Sequence, residues 1–461
     1  MALRSKAKDN FNIETISSEQ VAAWVDECVE IYKGNPCWIM EHSINGDDID
    51  TVNFAKAICS ETARLATLGI GVHVDGSPRA VWLQEQVNRI YYQLREWVEY
   101  GCAYGTVILK TDGDAVRLYT PSEFEVTHHT DGKICGVIFH NWKKVGDKWY
   151  TLLEYHRFEG KQYAITNKCY VGKRPDDTTK PVDIKDSPWS MLADEAYIDN
   201  VDNPLFGVFR TPAANNIDMG SPCGLPIFSE AVQELRDLDI AYSRNSEEIF
   251  DSKRIVMADD ALLATSGQRV ANTPLAARAA ADKIGLPKMV KMVHGAGQEE
   301  FYREINPQLN TEMRIKGMNA LLNQIGYKAG YSNGHFVFNE SGGIQTATQV
   351  EADQQRTIQT IKDVRDKLEN CLDGLIYSLS VFADLYGYAK SGSYEVVYDF
   401  SDITYSFEED RAHHYQLASQ GRFPWEEYYI RFLKYSREDA RRLLKMAKSE
   451  QAAPTLFGGE E

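Results

Sequence analysis

The sequence predicts an α+β fold, and three patterns predict it. Apolar residues recur at helical spacing over the first hundred positions or so, alternate with polar ones from about Gly105 to Tyr170, and return to helical spacing from about Thr348 to Leu385. At 461 residues the chain suggests roughly two to four domains on a prior of ~150 residues each. It is 43% hydrophobic and 25% charged, the balance of a chain that buries a core, which excludes wholesale disorder and collagen-like or low-complexity architecture.

The N-terminal part reads as helix from Glu19 to Tyr32 and again from Val52 to Leu68. Leu83, Val87, Ile90, Tyr91, Leu94, Trp97 and Val98 then predict one amphipathic helix between Pro78 and Gly101. Period-two alternation follows in TVILK, AVRLYT, ICGVIFHNW, KWYTLLEYHRF and QYAITNKCY, with Asp-Gly steps at 112–113 and 131–132, and predicts an antiparallel meander. The Pro- and Asp-rich stretch from Arg174 to Pro204 reads as peripheral loop, so residues 1–225 form one α+β domain.

Pro226 opens a helix to about Asp251, ~39 Å long at 1.5 Å per residue, with Ile227, Ala231, Leu235, Leu238, Tyr242 and Ile249 on one stripe. Its other faces are acidic, through Glu230, Glu234, Asp237, Asp239, Glu247, Glu248 and Asp251. A small β-rich insertion with strand candidates RIVMADDALL, PKMVKMV and FYREI precedes a second helix from about Leu309 to Tyr327. After the glycine-containing stretch 331–343 comes the long helix, opened by the capping box Thr348-x-x-Glu351 and expected to bend at Gly374. At ~1.5 Å per residue it exceeds 50 Å, more than a compact domain's diameter. The strand SYEVVYDF and two or three short charged helices finish the chain.

Several function classes are excluded or disfavoured. A net charge of -17 is wrong for a protein that grips nucleic acid with an overall basic surface, although a local basic ring is compatible with it. No apolar run approaches the ~20 residues of a membrane span, and MALRSKAKDN lacks the apolar core of a secretory signal, so no membrane contact is expected and the chain should stay in the cytosol where it is made. The eight cysteines form no C-x-x-C pair and read as reduced, mostly buried thiols. There is no phosphate-cradling G-x-x-x-x-G-K-[ST], no H-E-x-x-H and no G-x-S-x-G. His128-His129 and His413-His414 are adjacent pairs, which on a strand point to opposite faces, and Asp112 with Asp114 is explained by a TDGD hairpin turn. No catalytic residue, metal site or cofactor is expected.

The order of elements is therefore the informative feature. It resembles the portal proteins of tailed bacteriophages, and three strings resemble the portals of long-tailed phages of Gram-positive hosts: IYKGNPCW at 31–38, WVEYGCAYGTVILK at 97–110 and FNESGGIQTATQVEADQQRTIQTIKD at 338–363. In the last, Ser341, Gly342 and Gly343 form a turn leading through Thr346, Ala347, Thr348 and Val350 into the long helix. Glycine at such a turn relieves the backbone and a threonine suits a helix cap, so Gly342 and Gly343 are read as hinge and Thr348 as cap.

The resemblance implies a twelve-subunit ring at one capsid vertex, through which double-stranded DNA passes without being read by sequence. It implies a wing (1–225), stem helices (226–252 and 309–330), a clip (253–308), a tunnel loop (331–343), a long kinked wing helix with a returning strand (344–400) and a helical crown (401–461). It also implies location in the virion after assembly in the host cytoplasm. The implied partners are the chain itself, the terminase large subunit that supplies ATP hydrolysis, a head-tail adaptor, and the major capsid and scaffolding proteins.

Charge agrees with that division, since residues 253–328 carry eleven Lys/Arg against seven Asp/Glu, a net +4 in an acidic chain. A conduit must not hold its cargo tightly, and an acidic stem face at Glu230, Glu234, Asp237 and Glu248 repels phosphates weakly and keeps a duplex centred. Lys288, Lys291, Arg314, Lys316 and Lys328 are the candidate basic positions of stem and clip. In the tunnel loop Ser332, Asn333, His335, Phe336 and Asn339 are candidates to touch the DNA backbone, while the plainer alternative is a tucked turn with its phenylalanines buried. The competing functions are a metal-dependent nuclease, which needs clustered carboxylates in a pocket, and a capsid scaffold or interaction protein.

Overall fold

The structure is a computed structural model that describes residues 7–16, 19–39, 49–112, 115–251, 255–259, 288–292, 302–305, 310–337, 347–400, 407–420, 422–433 and 441–445. The chain divides into two compact units, 1–400 and 401–461. Both helices and sheets build the first, and the fold is α+β.

The first unit opens with α1 (Glu19–Tyr32) and α2 (Phe54–Ala66), followed by β1 (Gly71–Gly76). The helix expected from Pro78 to Gly101 is instead two, α3 (Pro78–Ile90) and α4 (Leu94–Tyr104), joined by a 3₁₀ turn at Tyr91–Gln93. A three-residue turn preserves the three- and four-residue apolar spacing, so periodicity passes through it unmarked. The Tyr91 hydroxyl fixes the turn by donating to the Ile70 carbonyl at 2.8 Å.

The expected single meander is two sheets. β2 (Thr106–Asp112) and β3 (Ala115–Tyr119) form a hairpin. β4 (Phe124–Thr130), β5 (Lys133–Val145), β6 (Lys148–Glu159) and β7 (Gln162–Gly172) run antiparallel in a second sheet, joined by β8 (Pro181–Val182) and β9 (Glu195–Asp199), which both pair with β7. β10 (Gly207–Arg210) then takes the open edge of β2. β8 and β9 lie in the stretch read as loop. Alternation tells which face a residue occupies but not which strand is its neighbour, and that is where the single-sheet expectation fails. The β4–β5 turn holds Asp131 and Gly132 at φ 50° and 76°, as the Asp-Gly signal requires.

α5 (Val232–Asp251) follows a 3₁₀ turn at Ser229–Ala231, so the helix expected from Pro226 is 20 residues, about 30 Å. β11 (Ile255–Asp259), β12 (Lys288–Met292) and β13 (Tyr302–Ile305) correspond to the three predicted strands of the insertion and make a sheet of their own, ordered β12-β11-β13. α6 (Thr311–Lys328) leads to α7 (Ala347–Tyr386), a single element of 40 residues, about 60 Å. β14 (Tyr394–Asp399) closes the unit by pairing with β1, with Val72 opposite Tyr398 and Val74 opposite Val396.

One core cluster joins the two sheets, where Val137, Phe139 and Tyr163 meet Ile108, Tyr119 and Phe206, with Tyr377, Val381 and Phe382 of α7 packed against it. β10 crosses α7 so closely that a Cβ on Gly207 would lie 2.1 Å from the Cys371 carbonyl oxygen, and one on Gly374 would lie 3.0 Å from the Phe206 oxygen. Gly374, expected to be a bend, lies at this crossing, within the single element α7. Two buried arginines join distant parts of the chain. Arg79 donates to the Ala389 carbonyl at 2.7 Å and binds Asp384 and the Ser380 carbonyl at the end of α7. Arg365 donates to the Leu65 and Ala66 carbonyls at 3.0 and 3.1 Å, satisfying the C-terminus of α2. All eight cysteines are free thiols, and only Cys37 is exposed.

The second unit contains α8 (Phe407–Ser419) and α9 (Trp425–Leu433). Its small core is aromatic, with Tyr428 and Phe432 buried and Tyr415 5.5 Å from Trp425 between ring centres.

Candidate functional site

α5 and α6 pack against each other as an antiparallel pair. Ion pairs fix both ends: Glu234 near the start of α5 holds Lys328 at the end of α6 at 2.6 Å, and Glu248 near the end of α5 holds Arg314 near the start of α6. The sequence placed these four residues in separate acidic and basic sets, and the structure brings them together. Pairing of this kind lowers the net field the two helices present and leaves Glu230 and Asp237 as the exposed acids of the proposed face. Asp237 accepts from Gln233 at 3.4 Å, one turn away on the same helix. Lys316 is exposed on α6, while Lys288 and Lys291 lie on β12 opposite Ile255 and Ala258 of β11.

Two features of α5 differ from expectation. Asp239, assigned to a solvent face, is 4% exposed and accepts from the Trp38 indole at 3.0 Å and the Val52 amide at 2.9 Å. Burial raises its carboxyl above the ordinary range, against these hydrogen bonds. The apolar stripe is buried at Leu235 and Leu238, but Tyr242 and Ile249 are exposed.

Beyond α6 the chain folds into a tight turn over 330–337. Gly330 and Gly334 take φ values of 89° and 81°, and the Gly334 amide donates to the Asn323 side chain at 2.8 Å. Tyr331 is fully buried and shares a 2.6 Å hydrogen bond with Thr62 of α2. Ser332 and Thr357 of α7 bond reciprocally: the Ser332 amide donates to the threonine hydroxyl at 2.9 Å and the Thr357 amide to the serine hydroxyl at 3.3 Å. His335 stacks on Tyr331 and faces Glu61 at 3.7 Å; burial lowers its pKa more strongly than Glu61 raises it. Phe336 packs edge-on against Phe54, 5.2 Å between ring centres.

Of the residues proposed to touch DNA, Ser332, His335 and Phe336 are thus anchors of the turn to α2 and α7, and Asn333 is exposed. Asn339, Gly342 and Gly343 lie outside the described residues. α7 begins at Ala347, one residue before Thr348.

A buried polar network, not anticipated from sequence, joins the two sheets. The Lys110 ammonium of β2 donates to Glu154 of β6 at 2.6 Å, Asn141 donates to the other carboxylate oxygen at 2.7 Å, and His156 meets Glu154 at 3.1 Å and Tyr163 at 2.8 Å. Burial raises the Glu154 pKa, but Lys110 and His156 outweigh it and hold the carboxyl far below its usual range. For Lys110 burial lowers the pKa, and Glu154 reverses the sign. The signal available in the sequence was a charged residue inside each apolar run, Lys110 ending TVILK and Glu154 inside LLEYH.

Among the described residues no three His, Cys, Asp or Glu side chains cluster as a metal site. Asp112 pairs with Ala115 at the end of the β2–β3 hairpin, and Asp114 lies outside the described residues. His128 and His129 stand on β4 at a break in register with β5.

No family model matches the chain, and no curated protein matches it. Two solved structures are similar in outline. One is a chain from the virion of a native gene transfer agent (GTA) particle, with a TM-score of 0.41 and 12% identity over 88% of this chain and 92% of that one. The other is from the neck of a native GTA particle computed with C12 symmetry, with a TM-score of 0.37 and 12% identity over 85% and 89% of the two chains. Likeness at this level decides neither fold nor function.

Proposed function

We propose that the chain is a portal subunit, a non-enzymatic structural component of a phage-type virion whose twelve-fold ring conducts double-stranded DNA at one capsid vertex. The observation that carries this reading is a bracketing: two ion-paired antiparallel helices flank a separate three-stranded sheet and are followed directly by an anchored turn and a 40-residue helix. A monomeric enzyme has no evident use for such a helix pair carrying a small sheet between its ends, whereas a ring subunit uses the pair as a wall and the sheet as a contact with its neighbour.

In these terms α5 and α6 are the stem, β11–β13 belong to the clip, residues 1–225 and α7 to the wing, and 401–461 to the crown. Glu230 and Asp237 are the stem acids that face phosphate, and Lys316, Lys288 and Lys291 the cations that moderate them. Asn333 is the member of the 331–337 turn that meets the duplex, held in place by Ser332, His335 and Phe336. The partners are other copies of the chain, duplex DNA, the terminase large subunit, a head-tail adaptor and the shell and scaffolding proteins. ATP hydrolysis comes from the terminase.

The test is deletion of 255–305. A sheet of this size has too little core to stand alone and completes itself against a neighbour. The shortened chain should stay folded but form no rings, and the full chain should hydrolyse neither ATP nor DNA. Rings from the deletion variant, or hydrolysis abolished by a point change in this chain, would overturn the reading.

A further inference from the structure

At one end of the six-stranded sheet the strand register gathers cations. Lys143 of β5 stands opposite Tyr150 of β6, which stands opposite Val171 of β7, whose amide donates to the Lys180 carbonyl at 2.9 Å. One lateral row therefore reads Lys143, Tyr150, Val171, Lys180. The next row outward begins with Val145 opposite Lys148, beside Lys173 just past the end of β7. Because cross-strand partners and residues two apart share a face, Lys143 and Lys148 project from the same side of the sheet, and Lys173 and Lys180 stand at bends just outside β7 and β8 at the same end of it.

Lys143, Lys148, Lys173 and Lys180 are all exposed, and none makes an ion pair among the described residues. Elsewhere Lys110, Arg314 and Lys328 are each held by a carboxylate. Of the nearby acids, Asp176 faces His140 at 3.8 Å, Asp177 accepts from Thr179 and Asp183 accepts from the Lys185 amide, while Asp147 is exposed in the β5–β6 turn, so the lysines outnumber the one carboxylate left to them. In a chain of net charge -17, four cations left facing solvent at one edge call for an anionic partner.

We propose that this lysine face is a docking surface for the phosphate backbone of duplex DNA, independent of sequence and separate from α5, α6 and the 331–337 turn. The spacing favours DNA over an acidic protein surface. Lys143 and Lys180 sit three strand intervals apart, about 14 Å, close to the ~12 Å width of the major groove, so long lysine stems reach phosphates on both of its sides. The two rows are about 7 Å apart along the strands, roughly two phosphate intervals of one DNA strand. No arginine fork or recognition helix enters a groove, so the surface positions the duplex and reads no base. The choice of DNA rests on the portal reading; the existence of an anion-binding face does not.

The probe is a fluorescent, covalently closed duplex minicircle, which cannot thread a closed ring and so reports only on surfaces outside a channel. Binding to the full-length chain is measured over a salt series, with labelled poly-glutamate as a second probe. The tested variant combines Lys143→Gln, Lys148→Gln, Lys173→Gln and Lys180→Gln; the control combines Lys133→Gln and Lys161→Gln at the other end of the same sheet. The four-lysine variant should bind the minicircle at least about tenfold more weakly at 0.1 M salt, and its slope of log affinity against log salt should shrink by about 3 to 4, at ~0.9 per lost phosphate contact. The control should match the unmodified chain, and native mass should show both variants assembling as it does. Unchanged minicircle affinity and slope in the four-lysine variant would overturn the proposal. So would loss of poly-glutamate binding alone, which would assign the face to an acidic protein. If no rings form, the portal reading fails separately, because the same binding comparison still decides the lysine face.

Discussion

Lys110→Met removes the cation from the network that joins the two sheets and leaves Glu154 buried. Both side chains are almost fully enclosed, at 5% and 9% exposure, so water cannot replace the lost partner. Breaking a buried pair from one side costs about 3–5 kcal/mol, a large share of a typical total of ~5–15 kcal/mol. At ~1.4 kcal/mol per decade, backbone amides of β2 and β6 should exchange hydrogen roughly 10²- to 4 × 10³-fold faster by mass spectrometry, while those of α8 should not change. Adding Glu154→Gln removes the stranded charge, so the double variant should recover about 1–3 kcal/mol of the loss. The comparison pair is Lys161–Asp202, 3.6 Å apart and mostly exposed, where Lys161→Met should cost less than ~0.5 kcal/mol. A Lys110→Met variant exchanging less than about fivefold faster, or a double variant worse than the sum of its parts, would refute the reasoning.

The same network sets an acid limit. The Glu154 pKa is far lower in the folded chain than its ordinary 4.5, so its contribution is complete above that value and declines as pH falls below it; His156, also lowered, begins to oppose folding below about 6.5. A thermal-melting series from pH 7 to 3 should show stability falling with pH, and Glu154→Gln should flatten the acidic part. Gly207→Ala should destabilise the α7–β10 crossing by about 1–3 kcal/mol or more, seen as a lower melting temperature, since the added methyl meets backbone that cannot rotate away. Lys328→Glu should weaken the α5–α6 pair by up to ~1 kcal/mol, and the exchange Glu234→Lys with Lys328→Glu should restore it; no restoration would mean the contact is incidental.

Elements with a strong local signal were legible. The 40-residue α7 follows from its helical spacing, and the three strands of 255–305 from their short apolar runs. β1 was not, because its partner β14 lies more than three hundred residues later and two of its six residues are glycine. For the candidate site, the sequence identified which charges belong to the helix pair but not that Glu234 and Glu248 are bound to Lys328 and Arg314, since pairing between helices is set by tertiary packing. Asp239 had a visible sign: it lies beside Leu235, Leu238 and Tyr242 of the apolar stripe, where a carboxylate implies a buried partner. The turn after α6 showed flexible glycines and large side chains in the sequence, and only the positions of Thr62, Thr357 and Phe54 reveal that those side chains point inward.

The most direct test of the central claim is the assembly state of the full-length chain, by native mass and negative-stain imaging at micromolar concentration. The portal account predicts a closed ring with a central hole and a mass many times the 52.2 kDa of one chain, twelve copies in the virion form. A chain that remains monomeric or dimeric across concentration, with no ring in images even when coexpressed with its shell protein, would contradict it.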